Sequence, residues 1–220
     1  LTTRQADYAS KAEGATQSLL GIINDILDFS KVEAGKLELE SSPFQMSDLL
    51  RDLSVILAAN MSSKPIELLF SVAADVPRAL TGDALRLRQI LLNLAGNALK
   101  FTEQGEVMLT LRVVALTAEH AEIEFAVSDT GIGIPADKLA YIFEGFSQAE
   151  SSTTRRFGGS GLGLAISRQL VRLMHGQLQV HSVLGSGSQF FFTLTLPLAS
   201  GDPLPVADRL SGANGQPLRA

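Results

Sequence analysis

The chain has 220 residues, 45% of them hydrophobic and 19% charged, with a net charge of −5 and no cysteine. That length holds one good core plus an appendage, and the absence of cysteine excludes disulfides and thiolate metal sites and fits a reducing compartment. An acidic balance without a basic block speaks against nucleic acid as a partner. No apolar run approaches the roughly 18 residues of a membrane span and no signal peptide opens the chain. It starts at Leu1 rather than Met, as a piece excised from something longer would.

Thr2-Thr-Arg-Gln5 has the form of a capping box and opens a helix. Apolar positions follow at Tyr8, Ala12, Ala15, Leu19, Ile22, Ile23, Ile26, Phe29 and Val32, and Gly35 suits the stop. About 32 residues at 1.5 Å each make a rod of roughly 48 Å, too long for a surface helix of one domain and too apolar to stand alone. It either needs a partner helix or folds back onto its own domain. Lys36 to Glu40 alternates as a short strand, and Ser41-Ser-Pro43 breaks it, placing a domain boundary between 1–41 and 42–198. Ser47 is expected to cap a second helix whose Leu49, Leu50, Leu53, Val55, Ile56 and Leu57 suit packing on a sheet. Ile66 to Val72 reads as a strand, with Asp75-Val-Pro77 as its exit.

The helix expected from Asp83 to Phe101 is apolar nearly all round, which predicts burial. Yet Gln89, Asn93, Asn97 and Lys100 fall on one face at spacings of four, four and three. A buried amide without a partner costs about 1–3 kcal/mol, so the stripe should face something polar. Two neutral amides and a lysine suit a magnesium–polyphosphate, since amide oxygens are hard ligands and the ammonium offsets phosphate charge. Solvent at a domain surface would satisfy the same stripe. Two alternating strands follow, Glu106 to Leu116 and His120 to Ser128, with Thr117 to Glu119 as their turn.

The second strand delivers Asp129 into a long stretch that ends at Leu164. Its glycines allow positive φ and close approach to a ligand, and Gly161-Leu-Gly-Leu opens a helix, Ala165–Met174, whose N-terminal amides form an anion site. The stretch reads as a nucleotide pocket, with adenine at the Asp129 end and phosphates at the Gly158 to Gly163 end. Neither the P-loop nor the dinucleotide glycine spacing fits, and taken alone this is also what an ordinary glycine-rich surface loop looks like. Strands Gln177–Val183 and Gln189–Leu196 are expected around a Gly185-Ser-Gly187 turn. From Ala199 to Ala220 periodicity vanishes, as in a disordered tail or linker.

Four separated segments resemble one family. Asn93-Leu-Ala-Gly-Asn97-Ala-Leu-Lys100-Phe-Thr resembles the asparagine box of sensor histidine kinases, and Asp129-Thr-Gly-Ile-Gly-Ile-Pro135 their first glycine box. Phe143-Glu-Gly-Phe146 resembles the phenylalanine box, and Gly158-Gly-Ser-Gly-Leu-Gly-Leu164 the second glycine box. Residues 20–36 are similar to the second helix of the dimerisation domain in hybrid kinases. The resemblance implies an α+β fold, a two-layer α/β sandwich whose mixed sheet carries helices on one face, preceded by one long dimerisation-type helix. It implies ATP and Mg²⁺ as cofactors. Asp129 would bond the adenine amino group; Asn97, helped by Asn93, would hold Mg²⁺; Lys100 would pair with a phosphate. Gly131, Gly133 and Ile134 would pass beside the base, and Gly159, Ser160, Gly161, Leu162 and Gly163 would wrap the phosphates. Residues 141–157 would be a lid latched by Phe143 and Phe146, with Arg155 or Arg156 reaching the γ-phosphate as charge develops. Hydrolysing relatives carry a Glu base where this chain has Asn93, and an amide cannot take a proton from water, which favours transfer to a protein acceptor.

The resemblance places the acceptor histidine on a first dimerisation helix ahead of Leu1. His120, His175 and His181 lack acceptor surroundings and read as structural. The implied setting is the cytoplasmic portion of a bacterial, inner-membrane-anchored, homodimeric sensor kinase that serves a response-regulator receiver domain, without direct membrane contact by this portion. A catalytically silent kinase-like module that regulates a partner by docking is the rival, and a hydrolysing ATPase of the same fold a third reading. Gly145, Ser160 and His175 stand where the family commonly has proline, threonine and glycine.

Overall fold

The computed structural model describes residues 34–61, 64–144 and 161–199, together with scattered positions between 2 and 31. The core domain starts with strand β1 (Ser42–Gln45) and helix α1 (Met46–Asn60), followed by β2 (Ile66–Val72), β3 (Ala79–Gly82) and α2 (Ala84–Phe101). Then come β4 (Gly105–Leu116), β5 (His120–Asp129), α3 (Gly163–Leu173), β6 (Gln179–Val183) and β7 (Gly187–Pro197). The main sheet has five strands in the order β2-β4-β5-β7-β6, and β1 pairs with β3 in a small second sheet. Only the β2–β4 pair is parallel, so the sheet is mixed, as expected.

Alternation along the strands decides which face is covered. Val107, Leu109 and Leu111 of β4, Ile123, Phe125 and Val127 of β5, and Phe190, Phe192 and Leu194 of β7 are all buried and share one core with the three helices. Register aligns them in rows: Leu111, Phe125 and Phe192 are successive neighbours across the sheet. The Phe125 and Phe192 rings stack at 5.3 Å, a contact worth about 0.5–1.5 kcal/mol beyond its buried area. The other face is polar, with Arg112 doubly bonded to Glu124 at 2.6 and 2.9 Å. Helix α1 buries Met46, Leu49, Leu53 and Leu57.

Several expectations need correction. Lys36 to Glu40 is not a strand; pairing begins at Ser42, where β3 offers a partner. Ser47 does not cap α1. The helix starts at Met46, whose amide bonds Arg78 O at 2.8 Å and whose side chain is buried, so a tertiary contact outweighs the available hydroxyl. Val55 and Ile56 point outward rather than onto the sheet.

Ahead of β1, the described residues between Arg4 and Lys31 are helical. Thr2 and Gln5 exchange the two bonds of a capping box, at 2.8 and 3.3 Å. The segment stops at Gly35, in the left-handed region at φ 63°, with the Lys36 amide reaching back to Lys31 O. Continuity between these ends lies outside the described residues.

Helix α3 closes the same way, but with histidine in the glycine place. His175 has φ 63°, its amide bonds Arg172 O, and the Gly176 amide bonds Val171 O. That is a Schellman end, where a side chain bears a left-handed penalty that glycine avoids. His175→Gly should therefore raise unfolding stability by about 0.5–1 kcal/mol, glycine's extra unfolded-state freedom offsetting part of the gain. A denaturant midpoint that falls on this substitution would contradict the assignment.

Candidate functional site

Helix α2 begins at Asp83, a buried N-cap whose carboxylate accepts from the Arg86 amide at 2.9 Å and from the Glu40 amide at 3.0 Å. One turn in, Leu87, Ile90, Leu91 and Leu94 are buried, while Gln89, Asn93, Asn97 and Lys100 are half-buried along the predicted stripe. The stripe is shared between two jobs. Gln89 donates to Asp28 at 2.8 Å and accepts from Arg86, which bridges to the same Asp28 carboxylate at 3.1 Å. Asp28 belongs to the segment ahead of the domain, so the first turns of α2 hold that segment rather than a ligand.

At Asn93 the stripe meets the segment that opens α3. Asn93 Nδ2 donates to Ser167 of α3 at 2.8 Å, and a Cβ at Gly163 would run into Asn93 Oδ1. The start of α3 is thus pressed against Asn93, which requires glycine at 163. The N-cap residue of that helix, Leu162, is apolar and its side chain makes no capping bond, and the N-terminal end of a helix favours an anion. Burial lowers the Lys100 ammonium below lysine's ordinary value, a state that a neighbouring polyanion would reverse.

The end of α2 also seats the loop that leaves β5. Ile132 donates to Phe101 O at 3.3 Å, and a Cβ at Gly131 would stand 2.5 Å from that carbonyl and 2.9 Å from Asp129 Oδ1. Gly133, at φ 66°, lies against Val183 O with no room for a side chain. Ser182 ties the loop to the β6–β7 turn: its Oγ accepts from the Ile134 amide at 2.8 Å and donates to Gly187 O at 2.9 Å. Partial burial pushes the Asp129 carboxyl above its usual value, although the Gly131 and Ser188 amides pull it down. A carboxylate at the base of a glycine cradle offers acceptor oxygens, which suit an exocyclic amine as partner.

Of the other expected residues, Gly161 has φ 70°, and Leu162 is in the core, so its side chain anchors the loop and does not face a ligand. Phe143 packs edge-on against Phe190 at 6.3 Å under the Arg168 guanidinium, so its ring is held against the sheet. Phe146, Arg155, Arg156, Gly159 and Ser160 lie outside the described residues. Sequence reasoning missed Ser167, Ser182 and Asp28. Only Ser182 left a signal, a hydroxyl beside the double-glycine turn.

A cleft of about 550 Å³ lies elsewhere, lined by Phe44, Asp48, Leu49, Asp52 and Arg88 among others. Arg88 is about 18 Å along α2 from Lys100, and the two carboxylates make that cleft a poor seat for phosphates.

Residues 82–200 match the family described as histidine kinase-, DNA gyrase B-, and HSP90-like ATPase. The chain belongs to that family. It is 48% identical over 202 residues to the sensor protein GacS of Pseudomonas syringae pv. syringae, across 92% of this chain and 22% of that protein. It is 43% identical over 195 residues to hybrid signal transduction histidine kinase F of Dictyostelium discoideum, across 88% of this chain and 18% of that one. Among solved structures, full-length ShkA in complex with AMPPNP superposes with a TM-score of 0.75 at 38% identity, over 90% of this chain and 40% of that chain. The chain spans about a fifth of the length of these curated relatives. Its core is therefore an ATP-binding domain of the histidine-kinase type. Among the described residues no helix is long and apolar enough to cross a membrane.

Asp129 gives this ATPase domain a measurable trade-off. With its pKa raised, the charged carboxylate costs stability above that pKa, and the cost disappears as pH falls through it. Asp129→Asn should melt higher than wild type near neutral pH, with the gap narrowing in acid, while nucleotide affinity drops by about tenfold or more. A variant that keeps its affinity would show that Asp129 does not read the base.

Proposed function

We propose that the chain is the ATP-binding catalytic core of a two-component sensor histidine kinase. In this reading it transfers the γ-phosphoryl group of ATP to a histidine of its parent protein, for relay to a receiver-domain aspartate. The bond from the γ-phosphorus to the β–γ bridging oxygen breaks, a phosphorus–nitrogen bond forms at the imidazole, and ADP leaves. The observation that carries this reading is that one helix, α2, bears Asn93, Asn97 and Lys100 on a single face, meets the start of α3 through Asn93 and seats the Asp129–Gly133 cradle on its end.

The roles follow from chemistry. Asp129 accepts from the adenine amino group while Gly131, Gly133 and Ile134 pass beside the ring. Lys100 and the α3 amides hold phosphate oxygens, with Gly159, Ser160, Gly161 and Gly163 wrapping them. Asn97 and Asn93 are the residues that would hold Mg²⁺. Their amide oxygens fit a hard cation, and among the described residues no three His, Cys, Asp or Glu converge to offer an alternative. When bound, that cation neutralises phosphate charge. Arg155 or Arg156 stabilises the transferring group, and Phe143 with Phe146 latches the lid. Asn93, bonded to Ser167, has no basicity with which to activate water, which directs the phosphoryl group to a protein acceptor.

In the same reading, residues 1–41 form the second helix of a dimerisation hairpin. Leu19, Leu20, Ile23, Ile26 and Leu27 are 43–58% exposed, an apolar surface that a first helix bearing the acceptor would cover. The parent would be a homodimer anchored in the bacterial inner membrane, with this portion cytoplasmic and contacting neither lipid nor nucleic acid.

Incubating the chain with γ-labelled ATP, Mg²⁺ and a hairpin supplying the acceptor histidine tests the reading. Acid-labile, base-stable label should appear on the hairpin, and Asn97→Asp should cut it by about tenfold or more. Label released only as inorganic phosphate would favour a hydrolysing ATPase instead. Unchanged transfer by Asn97→Asp would sink the metal assignment.

A further inference from the structure

The carbonyls of the last turn of an α-helix have no partners within it. At the end of α2 each of them is accounted for. Ala98 O accepts from the Thr102 amide at 3.0 Å and the Thr102 hydroxyl at 2.8 Å. Phe101 O accepts from the Ile132 amide. Leu99 O, Lys100 O and Thr102 O all accept from one group, Lys64 Nζ, at 2.7, 3.1 and 2.9 Å. An ammonium has three donors and no acceptor, so Lys64, in the connection between α1 and β2, is saturated by this one helix end.

We propose that Lys64 is a positioning residue of the nucleotide site, acting through the backbone of Leu99 to Thr102. The inference rests on the nucleotide reading above. Two arguments carry it, one geometric and one electrostatic. Lys100, the phosphate-facing cation, springs from a backbone that Lys64 grips on both sides. Between the gripped carbonyls lies Phe101 O, on which Gly131 and Ile132 are seated. Rotation of this helix end therefore moves the Lys100 ammonium, whereas the adenine loop keeps its own seat on Phe101 O, which Lys64 does not grip. The carbonyl end of a helix also carries about half a negative charge. Left bare, it would repel a polyphosphate lying beside Lys100, and the Lys64 charge at hydrogen-bond distance cancels it. A merely structural clamp would lower stability and affect all ligands alike. This one should matter more for an anionic nucleotide than for the neutral nucleoside.

Calorimetric titrations of the 220-residue chain with a non-hydrolysable ATP analogue and with adenosine read that difference. Lys64→Met should melt lower but cooperatively, bind the analogue about tenfold more weakly, and bind adenosine within about threefold of wild type. Lys64→Arg should recover most of the loss, because a guanidinium keeps the charge and several donors. Equal losses for both ligands, or none, overturn the proposal. Should Lys64→Met not fold, Lys64→Gln, which keeps a donor and drops the charge, reports the same ratio, and an unchanged ratio overturns it. Failure of the wild-type chain to bind either ligand would remove the nucleotide reading and this inference together. Wild-type binding matched by every variant would remove only the role of Lys64.

Discussion

Helix α2 lies with Leu87, Ile90, Leu91, Leu94 and Leu99 sealed in the core, and the site is arranged around what remains of its surface. A helix so buried cannot leave amides, an ammonium and a turn of bare carbonyls unpartnered, because each would cost about 1–3 kcal/mol. Every neighbour of the stripe can be understood as an answer to that constraint. Asp28 takes Gln89, Ser167 takes Asn93, Lys64 takes the terminal carbonyls, and the loop after Asp129 takes Phe101 O. Asn97 and Lys100, half-buried at the far end of the same stripe, are the members that the proposed function assigns to the cation and to phosphate.

The same helix joins two functions. Its first turns bind the preceding segment through Asp28 and the Glu40 amide, and its last turns bind the glycine loop. That segment is thus held about two turns from Asn97 on the same helix. In a kinase whose acceptor lies on a helix hairpin, one rigid element then references both reactants.

Much of this was legible in the sequence, for identifiable reasons. Strands β2, β4 and β5 and helix α2 are long enough for periodicity to dominate, so Asn93, Asn97 and Lys100 lie on one half-buried face of α2 and Asp129 ends β5, as the pattern expects. Strands β1 and β3 were lost because four residues carry too little pattern, whereas Lys36 to Glu40 carried the pattern without a partner strand. Gln89 shows the limit of spacing. Its position on the stripe was right, but spacing cannot tell that Asp28, 61 residues earlier, would claim it. Leu162 shows another: membership of a glycine box located the loop, yet an apolar side chain next to a core follows its burial.

The account stands or falls on whether this pocket takes nucleotide through its polar stripe. Titrating the chain with a non-hydrolysable ATP analogue, with and without Mg²⁺, measures that directly. Heat of binding that strengthens when Mg²⁺ is added is the predicted result, since Asn97 and Asn93 are assigned to the cation and Lys100 to phosphate. Absence of binding in both conditions would contradict it, leaving the asparagines, the lysine and the glycine cradle as packing features of a domain that acts by docking.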